Sequence, residues 1–227
     1  RTGKEPERMK WMDKLERRFG HIAIHDLMMI IVIGQAVVFL AEFFMPGLGI
    51  WSKLSLYMPA VLQGEVWRLL TFIFVPSSST PLSLVLTLYL MWLIGHTLEQ
   101  SWGDFRFNVY YFLGVLGAIL AAAVTGWGTT YYLNLSLFFA FAMLYPEMRL
   151  LLFFIIPVKV KWLALFSGVL CLFGFVFGTW ADRLSVLFSL LNFLIFFGGD
   201  FWRMAKQELR YAKNRRAWRN AGRNNWR

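Results

Sequence analysis

The chain has a single cysteine, Cys171, set inside an apolar run, and only three histidines, His21, His25 and His96. One cysteine excludes an internal disulfide and a cysteine-based zinc site. Charge is also scarce. Asp, Glu, Lys and Arg make up 16% of the 227 residues, where a soluble domain carries about a quarter. Acidic residues are the rarer sign, 13 against 23 Lys and Arg, giving a formal net charge of +10. No charge falls near the middle of an apolar run and no inverted repeat is visible, which disfavours a transporter or channel. No short apolar region with a small-residue cleavage site follows the charged N-terminal stretch, so a cleavable signal peptide is not expected.

What is present is apolar. Hydrophobic residues reach 58%, and the mean hydropathy is +0.54. This composition points to a multi-pass membrane protein, long enough for one compact helical bundle. In that setting a basic excess signals topology and anionic lipid before nucleic acid.

Residues 1–26 read as a cytoplasmic amphipathic segment at the headgroups, with Trp11, Leu15, Phe19 and Ile22 at helical spacing and Lys14, Arg17 and Arg18 between them. A membrane domain follows over 27–200. Its first span is expected over 27–45, stopped by Pro46 and Gly47. Residues 48–80 are too broken to span and too apolar for open water, and read as an interfacial loop. Further spans are expected over 82–98, 107–124, 131–145, 162–177 and 184–197, making six. "EQSWGDFRF" reads as a tight polar turn, and "PEMRLLLFFIIPVKVKW" as a loop broken by Pro157. Residues 201–227 form a basic cytoplasmic tail. With six spans and both ends on the cytoplasmic side, every lysine and arginine except Lys53, Arg68 and Arg183 lies on that side. This is the positive-inside bias.

Three segments carry a resemblance: "GEVWRLLTF" (64–72) in the first loop, "GHTLEQSWGDFRF" (95–107), and "FAFAMLYPEMRLLLFFIIPVKVKWLALF" (139–166). In order and spacing they resemble the rhomboid family over most of residues 25–200. The resemblance implies an all-α membrane protein, a six-transmembrane-helix rhomboid-like bundle with an interfacial first loop. It implies that Glu65, Trp67 and Arg68 form a structural motif of that loop, with Arg68 reaching polar backbone groups or an acidic neighbour. It also implies that Gly95, Glu99, Gly103 and Arg106 form the structural turn between the second and third spans.

The chain departs from the family at the chemistry. Active rhomboids carry a Gly-x-Ser-Gly nucleophile at the start of the fourth span and a histidine in the sixth. No Gly-x-Ser-Gly occurs in this sequence. The serine position falls near Tyr131, and aligning Gly199 with the family's last sixth-span glycine puts Asn192 at the histidine position. Asparagine is no general base at neutral pH. The resemblance is therefore to a catalytically inactive rhomboid, a pseudoprotease, with a Derlin-like branch among the options.

Ser136 is the alternative nucleophile, but it lies more than one helical turn deeper than the family's serine, with no lysine or histidine at that depth. It reads instead, with Asn134, as an interhelical hydrogen-bonding group. His21 and His25, spaced i, i+4 beside Asp26, could form a metal-binding face, which an amphipathic helix explains without metal. Gly114 and Gly117 read as close-packing positions. Neither cofactor nor metal is expected.

The expected function is a non-catalytic membrane scaffold, in membrane protein quality control, that binds transmembrane segments of client proteins or presents them to a membrane protease or assembly complex. The alternative is an intramembrane serine protease with an atypical site. Membrane lipid is the other expected partner, met by the tail with Trp218 and Trp226 at the headgroups. Nucleic acid is disfavoured, though an arginine-rich tail with aromatics also suits RNA. The expected location is a bacterial plasma membrane.

Overall fold

The computed structural model describes residues 10–78, 80–152, 156–180, 183–184, 186–187, 191–194 and 196. The basic tail and the aligned Gly199 lie outside them. The protein is mostly helical. Helix α1 (Lys10–Phe19) is followed by a 3-10 turn at Gly20–Ile22. The chain then enters α2 (Leu27–Phe44) through Asp26, whose φ of 51° is left-handed. The first loop is built from short pieces: α3 (Ile50–Leu54), β1 (Leu56–Tyr57), α4 (Met58–Leu62) and α5 (Arg68–Thr71), with a 3-10 turn at Phe72–Phe74. Helices α6 (Pro81–Trp102) and α7 (Asp104–Thr125) follow, then β2 (Trp127–Gly128), α8 (Tyr131–Leu144), β3 (Arg149–Leu152), β4 (Ile156–Lys159) and α9 (Val160–Phe177). Within the sixth apolar stretch, residues 191–194 and 196 are helical.

Among the described residues, four helices, α2, α6, α7 and α9, are long and apolar enough to cross a membrane. Helix α8 has only 14 residues. At about 1.5 Å per residue it extends roughly 21 Å, less than an apolar core of roughly 30 Å. It packs against α6, α7 and α9, each longer than itself. A short span must either sit among longer helices or thin the lipid beside it. The packing of α8 sets it among longer helices.

Three expectations are corrected. The all-α reading missed two small antiparallel sheets. In one, Leu56 pairs with Gly128 and Tyr57 with Trp127, tying the first loop to the α7–α8 connection. In the other, Arg149 pairs with Lys159 and Leu151 with Pro157, so the expected broken loop is a hairpin. Proline fits there because an edge position needs no ladder N–H. The second correction concerns the turn. Helix α6 runs on through Gly95, Glu99 and Trp102, and the break is Gly103 alone, at φ 81°. Arg106 lies in the first turn of α7. Gly95 is a packing position, since a Cβ there would lie 2.1 Å from Met28 Cγ and 2.8 Å from its Cβ. The third correction concerns the N-terminal segment. Its helix ends at Phe19, and His25 and Asp26 sit in a turn, so His21 and His25 do not share a helical face.

The core gathers Met28, Ile31, Leu98, Phe107, Tyr110, Tyr111, Leu137 and Phe141. Gly114 admits this packing: a Cβ there would meet Leu133 Cδ1 at 2.1 Å.

Candidate functional site

The positions matched to a rhomboid nucleophile and base are not brought into a catalytic pair. Tyr131 opens α8 with 58% of its surface exposed, its ring edge-on to Tyr132. Asn192 is buried. Its Nδ2 donates to the Tyr110 carbonyl at 3.1 Å and lies 3.0 Å from where a Gly114 Cβ would stand. The amide thus locks the sixth apolar stretch against α7.

Ser136 is fully buried. Its hydroxyl donates within its own helix to Leu133 O at 2.8 Å, and its carbonyl accepts the Tyr110 hydroxyl at 3.0 Å. The link between helices therefore runs through the backbone oxygen of Ser136, and the expectation of an interhelical hydroxyl bond is corrected. A serine hydroxyl needs a base within hydrogen-bond reach to act as a nucleophile, and here its proton is given to a carbonyl. The cavity beside it, lined by Gly114, Thr129, Tyr132, Leu133 and Ser136, measures about 20 Å³. That admits a water, whereas a small-molecule pocket holds at least roughly 300 Å³. Asn134 reaches Met91 Sδ at 3.8 Å, a weak contact.

The first loop is organised around Arg68, which is buried although the loop is built from short, half-exposed pieces. Its Nη1 donates to Ser52 O at 2.5 Å and Ser55 O at 3.0 Å, both at the C-terminal end of α3. Its Nε and Nη2 pair with Glu65 Oε2. Carbonyls at a helix C-terminus lack intrahelical donors, and a guanidinium satisfies two of them at once. Thr71 Oγ1 adds a bond to Leu54 O. Trp67 is half exposed and takes no part in the clamp.

Two residues that sequence reasoning passed over hold this loop to the bundle. Gln35, buried within α2, donates through Nε2 to Ile73 O at 2.9 Å. Gly34 lets Phe74 approach, since a Cβ there would lie 2.2 Å from Phe74 Cδ1. A lone amide inside an apolar span was the available signal for Gln35.

At the other end of α6, Glu99 is buried and accepts the Leu27 N–H through Oε1 at 3.0 Å, satisfying one orphan donor at the start of α2. Asn108 of α7 donates to Ile24 O at 3.1 Å. Arg106 pairs with Glu16 of α1 at 3.1 Å, and His25 with Asp104. The residues expected to shape a turn therefore fasten α1 and the start of α2 to the α6–α7 corner.

Outside the bundle, Lys159 and Lys161 grip the exposed Glu147 carboxylate from the hairpin and the start of α9. Their hydrogen bonds pull its pKa down from 4.5 to about 2.

In comparison with known proteins, the chain matches no family model, no curated protein and no solved structure.

Proposed function

We propose that this protein is a non-catalytic, rhomboid-like membrane scaffold that binds the transmembrane segments of client proteins. The family assignment rests on the resemblance of the three segments, and six spans with both termini in the cytoplasm rest on the basic-residue asymmetry. One observation carries the client-binding reading. Helix α9 is the least buried of the long apolar helices: 11% of its apolar window is buried against 44% for α7. Of its residues only Val160 is buried. Leu165, Phe166, Val169, Leu170 and Phe173 all lie exposed along it. In α6, Leu82, Val85, Tyr89 and Trp92 form a second exposed stripe at spacings of three and four. Resemblance to rhomboids favours the α6 and α9 side as the place where a client helix lies.

Absence of a catalytic pair among the described residues favours binding over cleavage. The atypical-protease reading requires the Ser136 proton to leave its bond to Leu133 O, and requires a peptide to reach a cavity of about 20 Å³. Presentation of the bound client to a membrane protease or assembly complex follows if the protein binds without cutting. A fluorophosphonate probe tests this. No labelling, and unchanged client binding by Ser136→Ala, is the expected result. Covalent modification at Ser136 makes the protease reading the better one.

A further inference from the structure

We propose that Asp26, His96 and Glu99 form a divalent-cation site of the zinc type at the joint between α2 and α6. One ligand atom from each lies within 4.8 Å of the others. Ligands at roughly 2.0–2.2 Å from a tetrahedral zinc sit a little over 3 Å apart, so the set must draw together on binding. The sequence gives no local pattern for it. Asp26 comes from the turn before α2, while His96 and Glu99 come from the last turns of α6.

The second observation is the state of Glu99. The residue is 4% exposed, Oε1 is held by the Leu27 N–H, and Oε2 is buried without a hydrogen-bond partner. A buried carboxylate oxygen left unpaired needs a proton, a water or a cation. A cation, unlike a proton, would also be held by Asp26 and His96 at the same corner.

His96 can take the same role once the Gln100 amide is flipped. Its ring stacks on Trp92 with centroids 5.4 Å apart and planes 10° from parallel. As placed, Gln100 Nε2 donates to the His96 Nε2 at 2.9 Å, which leaves the ring proton on Nδ1, and Nδ1 faces Asp26 Oδ1 at 3.9 Å. With the Gln100 carbonyl turned to accept Nε2–H, Nδ1 keeps its lone pair toward Asp26. A metal-binding histidine needs this orientation from its outer partner. One imidazole and two carboxylates suit zinc among the borderline divalent ions, with the fourth position left to water. The Asp26 and His96 side chains are 63% and 36% exposed, so the ion reaches the site from solvent. A bound ion would pin the start of α2 to the end of α6.

The test is zinc binding by the full chain in detergent after chelator treatment, measured by equilibrium dialysis and elemental analysis. Wild type is expected to take up a single saturable equivalent. Asp26→Asn, which tolerates the left-handed turn, and the half-exposed His96→Ala should lose it. Gln100→Ala should weaken it about 10–100-fold, as loss of an outer partner does. His21→Ala should retain it. Zinc should raise the Tm of wild type and leave that of His96→Ala unchanged. Absence of saturable uptake by wild type, or uptake unchanged in both Asp26→Asn and His96→Ala, overturns the site.

Discussion

The Asn192 side-chain amide donates to the Tyr110 carbonyl at 3.1 Å, across 82 residues of sequence. The bond puts a buried hydrogen-bond donor at the position that the resemblance aligns with the rhomboid base. Asn192→Ala should remove this bond and cost about 0.5–1.5 kcal/mol, the net worth of one hydrogen bond, because the Tyr110 carbonyl keeps its partner within α7 and Asn192 Oδ1 is itself buried without one. Thermal unfolding in detergent measures it. Equal stability of variant and wild type would show that the amide does not lock the helices.

Arg68 carries the first loop. Arg68→Ala should cost about 1–3 kcal/mol, because the Ser52 and Ser55 carbonyls lose their donors in a half-buried loop. Arg68→Lys should recover only part, since an ammonium cannot reproduce the planar fork that meets two carbonyls and a carboxylate. Limited proteolysis at residues 48–66 should accelerate in the alanine variant first. Full rescue by lysine would reduce the clamp to charge alone.

Glu147 ties the hairpin base to the start of α9 and sets a pH response. Its folded pKa, about 2, lies below the ordinary 4.5. A depressed carboxylate pKa contributes stability above the unfolded value and loses it as pH falls through the folded one. The contribution is therefore whole above pH 4.5 and fades toward pH 2. A carboxyl-carbon titration should give a midpoint near 2 in wild type, moving back toward 4.5 in Lys159→Met/Lys161→Met. An unmoved midpoint would mean that the lysines do not hold the group in solution.

Much of the helical order was legible because apolar runs bounded by Pro and Gly mark it directly. Pro46 and Gly47 closed α2, and the ends of α7 and α9 fell within a few residues of expectation. The β3–β4 hairpin was not legible: "RLLLFFIIPVK" is apolar at nearly every position, and an unbroken apolar run has no period to separate strand from helix. The turn at Gly103 was expected, but its extent was misread for a different reason. The polar residues around it suggested a longer turn, but Glu99 is polar because it serves the Leu27 N–H from inside the bundle. Contacts such as Asp26 with His96, or Gln35 with Ile73, join residues far apart in the chain and leave no local signature.

The central claim, binding of client helices without cleavage, is tested most directly by photo-crosslinking in the native membrane. A photoreactive residue at Val169 or Phe173, both exposed on α9, should capture intact membrane proteins through their transmembrane segments. The same probe at Tyr111, which is fully buried, should capture none. Recovery of cleaved clients from α9, or of lipid alone, would contradict the account.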